Sequence, residues 1–393
     1  MFEYKDRICA FIDQRREEML SFLKEFVNLE GHFNEREKVE AARDFYRKAL
    51  EEEGFVCRIV EVAPESAGIL VADLGQDRPG KPIILEGHAD TVFYAGTFAG
   101  DNPFRTEGEI MYGPGVLDMK GGLVIALYIV KALNHIGFDT CPIRIVVVGD
   151  EERDHVGNNG DQVVTESCAG GGIGLSFEVA SEDRCLATAR KAQINYDIEI
   201  TGVGGHAGND FWRAKNALVE ANRIMNEALK LTCKETETTV TPSILQAGSH
   251  QSAIPEKARL NFDIRYVTME ERKRVTEAFE ELLDHPSEGY RIQYQLIVAK
   301  LPPLEETESN LKVWRFLNEA SEVCGYPPFG KALRGGANDA GNVSRAGVPT
   351  ICSCGTTGKY AHSTKEYAHV DSLYERAVIF ATALSEIAAF YSR

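Results

Sequence analysis

The pattern of apolar residues changes along the chain, and this change restricts the fold more than any other feature. In the first part, strand-like apolar runs alternate with a long helical pattern, and the clearest segments are 83–85, 119–135, 143–148 and 173–177. Strands that alternate with helices are typical of a mostly parallel sheet with helices on its faces. We therefore predict an α/β fold for this part of the chain.

Between residues 187 and 299 the pattern becomes a half-buried alternation of apolar and polar residues, which is clearest at 196–200, 260–266 and 292–296. Two helical segments interrupt it, at about 213–230 and 269–283, and Thr268 with Glu271 forms a capping box for the second. The resulting β-α-β-β-α-β order predicts a ferredoxin-like α+β domain.

Helix and strand signals resume after Pro302-Pro303. We therefore predict that residues 1–186 and 300–393 form one discontinuous domain, with an inserted domain over 187–299.

Charge and cysteine usage exclude several classes of partner. Lys and Arg total 43 against 60 Asp and Glu, and the formal net charge of −17 disfavours attraction to nucleic acid or anionic lipid. Charged residues throughout the first 20 positions preclude the apolar core of a signal peptide, and the apolar stretch 123–130 is far shorter than a bilayer span. Nine scattered cysteines without a Cys-x-x-Cys pair suit a reducing compartment, so we expect a cytoplasmic protein.

Acidic and histidine residues follow the ends of the predicted strands. Four clusters contain Glu86, His88 and Asp90; Asp118; Glu151 and Glu152; and Glu178, and a fifth element containing His362 lies far downstream. In open α/β sheets ligands bind outside the carboxyl ends of the strands, so we expect these clusters to form one site.

So many carboxylates cannot converge without strong repulsion or protonation. Two divalent ions remove that difficulty if Asp118, Glu152 and Glu178 are anionic ligands and the two histidines, His88 and His362, are neutral ligands. The adjacent Glu151 and Glu152 point to different sides, so one ligates a metal while the other handles protons.

Asp90 lies two residues after His88, where it is placed to orient the imidazole.

Taken in order, the motifs resemble those of metallopeptidase family M20, which includes glutamate carboxypeptidase, acetylornithine deacetylase, succinyl-diaminopimelate desuccinylase and aminoacylase. The resemblance covers nearly the whole chain, and the segments that carry it are 87–91, 113–122, 150–152, Glu178, 204–208, 254–255 with 263–265, 335–339, and His362 with Glu366. It implies a zinc-peptidase-like catalytic domain whose inserted domain serves as a lid and dimerises.

The resemblance also implies roles for the clustered residues. His88, Asp118 and Glu178 bind one Zn²⁺, while Asp118, Glu152 and His362 bind the other, so that Asp118 bridges the pair. Co²⁺ or Mn²⁺ is a possible substitute. Glu151 matches the general base, and the bond between Asp118 and Met119 matches a cis non-proline peptide.

Other matched residues point to the partner subunit and the substrate. His206 is implied to stabilise the oxyanion in the neighbouring subunit of a homodimer. Arg265 and the Gly335-Gly336 turn match a substrate-carboxylate region, although Arg265 has the alternative of bracing the sheet. Asn338, beside that turn, is predicted to line the same cleft, because loops carry function more often than element interiors do.

These features predict a dinuclear zinc hydrolase that cleaves an amide next to a free carboxylate, either as a carboxypeptidase on small peptides or as a deacylase of N-acyl amino acids. One alternative is an N-carbamoyl amino acid amidohydrolase, against which the segment 118–122 argues. Another is a non-catalytic, metal-binding homodimer. His155 is predicted to be a surface or satisfied core residue, with a position in the cleft as the alternative.

Overall fold

The computed structural model describes residues 2–98, 103–298 and 300–392, so the predicted domain ends at 1, 299 and 393 lie outside the described residues. The chain forms two compact units. The first consists of Met1–Ala189, Glu305–Arg334 and Asn338–Arg393, and the second of Arg190–Leu304 and Gly335–Ala337.

The helices and strands follow one another along the whole chain. The helices are α1 (Lys5–Asp13), α2 (Arg16–Asn28), α3 (Arg36–Glu52), α4 (Lys120–Ile136), α5 (Gly160–Cys168), α6 (Ala217–Leu229), α7 (Met269–Asp284), α8 (Glu308–Val323), α9 (Ala340–Arg345), α10 (Val370–Ser385) and α11 (Ile387–Ser392). The strands are β1 (Val56–Val60), β2 (Ile69–Leu74), β3 (Ile83–His88), β4 (Arg105–Glu107), β5 (Ile110–Tyr112), β6 (Ile143–Val148), β7 (Ile173–Ser176), β8 (Ala180–Ser181), β9 (Cys185–Arg190), β10 (Ala192–Thr201), β11 (Gly205–His206), β12 (Thr239–Ala247), β13 (Ala253–Ile254), β14 (Lys257–Tyr266), β15 (Arg291–Val298), β16 (Gly330–Arg334), β17 (Thr350–Ile351), β18 (Thr357–Lys359) and β19 (Tyr367–His369).

The main sheet of the first unit has the strand order β1-β2-β6-β3-β7-β17. The pairs β6/β3, β3/β7 and β7/β17 are parallel, while β1/β2 and β2/β6 are antiparallel. The predicted α/β class is confirmed. Because β3, β6 and β7 run in the same direction, their carboxyl ends meet at one edge of the sheet, where the acidic clusters follow them.

Helix α4 begins directly after the Asp118-Met119 step and is buried along almost its entire length. A helix that is apolar all round belongs in a core, which explains this position. It ends at Gly137, whose φ of 79° is the left-handed conformation that glycine adopts without a Cβ penalty. Gly122, in its first turn, packs so closely against Phe177 that an added Cβ would lie 1.9 Å from the Phe177 carbonyl oxygen.

Replacing Gly122 by alanine is expected to lower the free energy of unfolding by roughly 2–3 kcal/mol, because the backbone of Phe177 must move to admit the methyl group. Urea unfolding followed by circular dichroism measures the change. Gly208→Ala is the matched control, since a Cβ there meets the His206 ring at an ordinary 3.6 Å. Equal stabilities of the two variants would contradict the close packing.

The second unit has the predicted β-α-β-β-α-β order, formed by β10, α6, β12, β14, α7 and β15. Its sheet has the order β12-β14-β10-β15, and all its pairs are antiparallel. Residues of β10 alternate between buried and partly exposed, so one face of the sheet packs against the two helices.

Helix α7 begins as predicted, with the Thr268 hydroxyl accepting from the Glu271 backbone N–H. Helix α6 begins at Ala217 rather than near 213, because the Asn216 side chain accepts from the Leu218 N–H and caps the helix there.

Among the described residues, no helix combines the length and apolarity that a bilayer span requires.

Candidate metal centre

The ends of three parallel strands place most of the predicted site residues. His88 is the last residue of β3, Glu151 and Glu152 lie in a 3₁₀ turn just after β6, and Glu178 follows β7. Asp118 comes directly before α4. His362 lies in the connection between the antiparallel strands β18 and β19.

The His88 Nε2 atom faces three carboxylates. It lies 3.2 Å from Asp118 Oδ1, 3.5 Å from Glu178 Oε1 and 3.9 Å from Glu151 Oε2. All four side chains are at least nine-tenths buried. A single imidazole nitrogen cannot satisfy three carboxylates, so this arrangement holds more acceptors than donors.

Asp118 also faces the second histidine. The His362 Nε2 atom lies 3.2 Å from Asp118 Oδ2 and 3.1 Å from Glu152 Oε2. The two oxygens of Asp118 therefore point to different histidines. Such an arrangement suits a carboxylate shared between two cations.

Asp90 is fully buried and holds two of these residues in place. His88 Nδ1 donates to the Asp90 backbone oxygen at 3.0 Å, which leaves Nε2 directed at the carboxylates. The Asp90 carboxylate accepts from the Glu152 backbone N–H at 3.0 Å.

Burial and mutual repulsion shift the titration of the cluster. Burial, and then the neighbouring Glu178 charge, raises the pKa of Glu151 well above its usual value. Burial and the Asp118 charge raise the pKa of Glu152 to about 7. Hydrogen bonds to Asp118 and Glu152 raise the pKa of His362 to about 11. The buried carboxyl groups of Glu151 and Glu152 therefore hold their protons more tightly than exposed carboxyl groups do.

The residues present suit divalent cations. Two groups, His88 with Asp118 and Glu152, and His88 with Glu151 and Glu178, each place ligand atoms within 4.8 Å of one another. Glu152 Oε1 is buried without a hydrogen-bond partner among the described residues, which is typical of an oxygen that binds a cation. Carboxylate oxygens and imidazole nitrogens are ligands that Zn²⁺ accepts.

Glu366 supports the loop that carries Asp118, a contact that the sequence motifs did not assign. Its Oε1 accepts from the backbone N–H groups of Leu117 and Asp118, at 2.9 and 3.2 Å.

The peptide bond between Asp118 and Met119 is cis, which confirms the predicted geometry.

His155 is fully buried and joins two carboxylates. Its Nδ1 lies 3.2 Å from Asp150 Oδ1 and its Nε2 lies 3.0 Å from Asp339 Oδ2. Burial lowers the pKa of His155, but the Asp339 and Asp150 carboxylates outweigh burial and raise it well above the usual value. This buried ion cluster therefore ties the turn that carries Glu151 to the segment before α9.

His206, in the second unit, is exposed and lies on the short strand β11. Its Nδ1 accepts from the backbone N–H groups of Gly208 and Asn209, both at 3.2 Å. Because Nδ1 is an acceptor, the proton of the neutral imidazole is on Nε2, which is a hydrogen-bond donor.

The predicted substrate-binding residues have protein partners. Arg265 forms a two-point ion pair with Asp263, with Nε–Oδ1 and Nη2–Oδ2 distances of 2.8 and 3.0 Å, and its Nη1 donates to the Gly335 oxygen at 3.4 Å. The Gly336 oxygen accepts from Arg190 Nε at 2.8 Å. Asn338 is buried, and its Nδ2 lies 3.2 Å from the Cys352 sulfur. Arg265 thus braces its own strand as well as the glycine turn.

Comparison with known proteins adds a family and several relatives. The model of a family described as "Peptidase family M20/M25/M40" matches residues 84–386. Carboxypeptidase G2 of Pseudomonas sp. (strain RS-16) is 28% identical, with 94% of this chain and 89% of that protein covered. Succinyl-diaminopimelate desuccinylase of Rickettsia bellii (strain OSU 85-389) is 24% identical, with 91% and 95% covered.

A solved structure of the Bacillus subtilis YXEP protein, described as a dinuclear metal binding peptidase from the M20 family, has the same fold. The TM-score is 0.69 at 14% identity, and 95% of this chain and 99% of that chain are covered.

Proposed function

The chain belongs to peptidase family M20/M25/M40 and is a hydrolase of peptide or amide bonds, and from that premise we propose that it cleaves an amide next to a free carboxylate with the help of two divalent metal ions. The observation that carries the proposal is the position of Glu151 beside His88, Asp118 and Glu178 at one sheet edge. The substrate is a small peptide, cleaved by a carboxypeptidase reaction, or an N-acyl amino acid.

The proposed metal ligands are His88, Asp118 and Glu178 for one ion, and Asp118, Glu152 and His362 for the other. His88 Nε2 lies close to carboxylate oxygens of Asp118 and Glu178, and His362 Nε2 lies close to those of Asp118 and Glu152, which supports this assignment. The buried Glu152 oxygen that has no hydrogen-bond partner among the described residues supports it as well. When bound, the ions supply Lewis-acid polarisation of the scissile carbonyl and a lowered pKa for the attacking water. Zn²⁺ is the proposed metal, with Co²⁺ or Mn²⁺ as substitutes.

Glu151 is the proposed general base. Its neighbour Glu152 lies beside His362. The Glu151 Oε2 atom lies 3.9 Å from His88 Nε2, which is farther than the nearest oxygens of Asp118 and Glu178. Glu151 removes a proton from water and delivers it to the leaving nitrogen. Asp90 keeps the His88 ring and the Glu152 backbone fixed during this transfer.

His206 is proposed to donate from Nε2 to the developing oxyanion in the site of a second copy of this chain. The second unit offers a surface for such pairing, since the exposed fractions of Trp212, Phe211 and Val219 are 94%, 58% and 59%. Large apolar side chains exposed together are typical of interaction surfaces. We therefore propose a homodimer formed through this unit.

Replacing His206 by alanine is expected to reduce kcat by about 10²–10³-fold, because one oxyanion donor is lost. In a homodimer the defect is complemented between subunits. Mixing inactive His206→Ala with inactive Glu151→Gln gives heterodimers with one complete site, which should restore roughly a quarter of the normal activity once protomers exchange. Heterodimers that form, as seen by native mass spectrometry, but show no recovery would place His206 in its own subunit's reaction or outside catalysis.

Removing the metals with a chelator is expected to abolish hydrolysis, and adding Zn²⁺ should restore it, because the bound ions supply the polarisation of the carbonyl and the lowered pKa of the water. The assay measures amine release from matched N-acyl amino acids and dipeptides that carry a free carboxylate. Faster cleavage of the N-acyl amino acids indicates a deacylase, whereas faster cleavage of the dipeptides indicates a carboxypeptidase. Ammonia release from N-carbamoyl amino acids, with peptides left intact, would overturn the proposed substrate class. A protein that binds two metals but hydrolyses none of these substrates would overturn the proposed catalysis.

A further inference from the structure

Two cysteines that belong to none of the motifs of the candidate metal centre lie together at the surface of the first unit. Cys9 belongs to α1, and Cys324 is the residue that follows α8. Each thiol is close enough to the other to shift its titration. Both are partly exposed, and both line a cavity of about 250 Å³ together with Arg16, Tyr326 and Tyr374. The pair is therefore accessible to a small molecule.

We propose that Cys9 and Cys324 form a dithiol site that reacts with small disulfides and closes into an intramolecular disulfide. The site is independent of the proposed metal chemistry, because neither cysteine belongs to the cluster around His88.

The surroundings give the two thiols different reactivities. The neighbouring Cys9 thiol lowers the pKa of Cys324 to about 7, and the nearby Thr382 hydroxyl and Lys5 ammonium act in the same direction. The Cys324 thiol, together with burial, raises the pKa of Cys9. The Thr382 oxygen lies 3.5 Å from the Cys324 sulfur, and Lys5 precedes Cys9 by one helical turn. Cys324 is therefore the attacking thiolate and Cys9 the resolving thiol.

The reaction proceeds in two exchanges. The Cys324 thiolate attacks one sulfur of the small disulfide, forms a mixed disulfide and releases the other half as a thiolate. The Cys9 thiol then loses its proton to solvent and attacks the Cys324 sulfur, and the second small thiolate leaves. The small disulfide gains two electrons, and the cysteine pair loses them.

The probe is oxidised glutathione added to the reduced full chain, followed by acid quenching, alkylation of the remaining thiols and mass spectrometry. The expected product lacks two hydrogens and contains a Cys9–Cys324 cross-linked peptide. Cys9→Ser should stop at a mixed disulfide on Cys324, whereas Cys324→Ser should react roughly tenfold more slowly, since its remaining thiol is largely protonated. Cys57→Ser is the matched control and should behave like the parent, because burial raises the pKa of Cys57 to about 11.

Alkylation of Cys9 and Cys324 at the rate of Cys57, with no cross-linked peptide, would overturn the proposal. A mixed disulfide that accumulates on the parent chain would show that the two sulfurs cannot reach each other and would overturn the intramolecular closure. Thermal unfolding gives an independent readout: the oxidised parent should melt at a higher temperature than the reduced parent, and the Cys9→Ser variant should show no such shift.

Discussion

Replacing Glu151 by glutamine is expected to reduce kcat by about 10²–10⁴-fold while the metal content stays unchanged. The substitution keeps the size and hydrogen-bonding shape of the side chain but removes its ability to accept and deliver a proton. Glu151 lies farther from His88 than Asp118 and Glu178 do, so its loss should leave the proposed ligand set intact.

The measurement combines steady-state kinetics with elemental analysis of the purified variant. Glu17→Gln, an exposed position on α2, is the matched control and should retain parental kcat. Glu152→Gln is the informative comparison, since loss of a proposed ligand should lower metal content as well as activity. A Glu151→Gln variant with substantial turnover and full metal content would refute the assignment of the base.

Replacing His155 by alanine is expected to lower the free energy of unfolding by about 3–5 kcal/mol. The buried imidazole lies between Asp150 and Asp339, and its removal leaves two buried carboxylates without their shared cation. Because Asp150 directly precedes Glu151, kcat is expected to fall as well.

Chemical denaturation measures the change, and His285→Ala serves as the control because that side chain is 72% exposed. A double variant, His155→Ala with Asp339→Asn, is expected to recover part of the lost stability, since one of the uncompensated charges is removed. A loss below about 1 kcal/mol in the single variant, together with no recovery in the double variant, would show that the ion cluster is not what holds this region together.

Local patterns in the sequence were sufficient for much of the fold. The strand 143–148 and the capping of α7 by Thr268 depend on residues close together in the chain, and both were predicted. The family assignment and the cis bond after Asp118 were likewise predicted from motifs and are confirmed. Boundaries were less certain, as the start of α6 shows, because a single asparagine cap decided it.

The support of the site depends on contacts between distant parts of the chain. Glu366 holds the Asp118 loop across 248 residues of sequence, and His155 meets Asp339 across 184. No periodicity or short motif encodes these pairings, because they arise only when separate elements pack together.

The sequence by itself determined the α/β class and the order of the elements, and it indicated candidate residues for metal binding and proton transfer, since local spacing and side-chain chemistry suffice for these. Only the tertiary structure decided which polar groups meet. It brought His88 to three carboxylates, paired Arg265 with Asp263 on the same strand, and placed Cys9 and Cys324 on one cavity. Polar groups inside a fold need partners, and the packing of separate elements decides which groups meet.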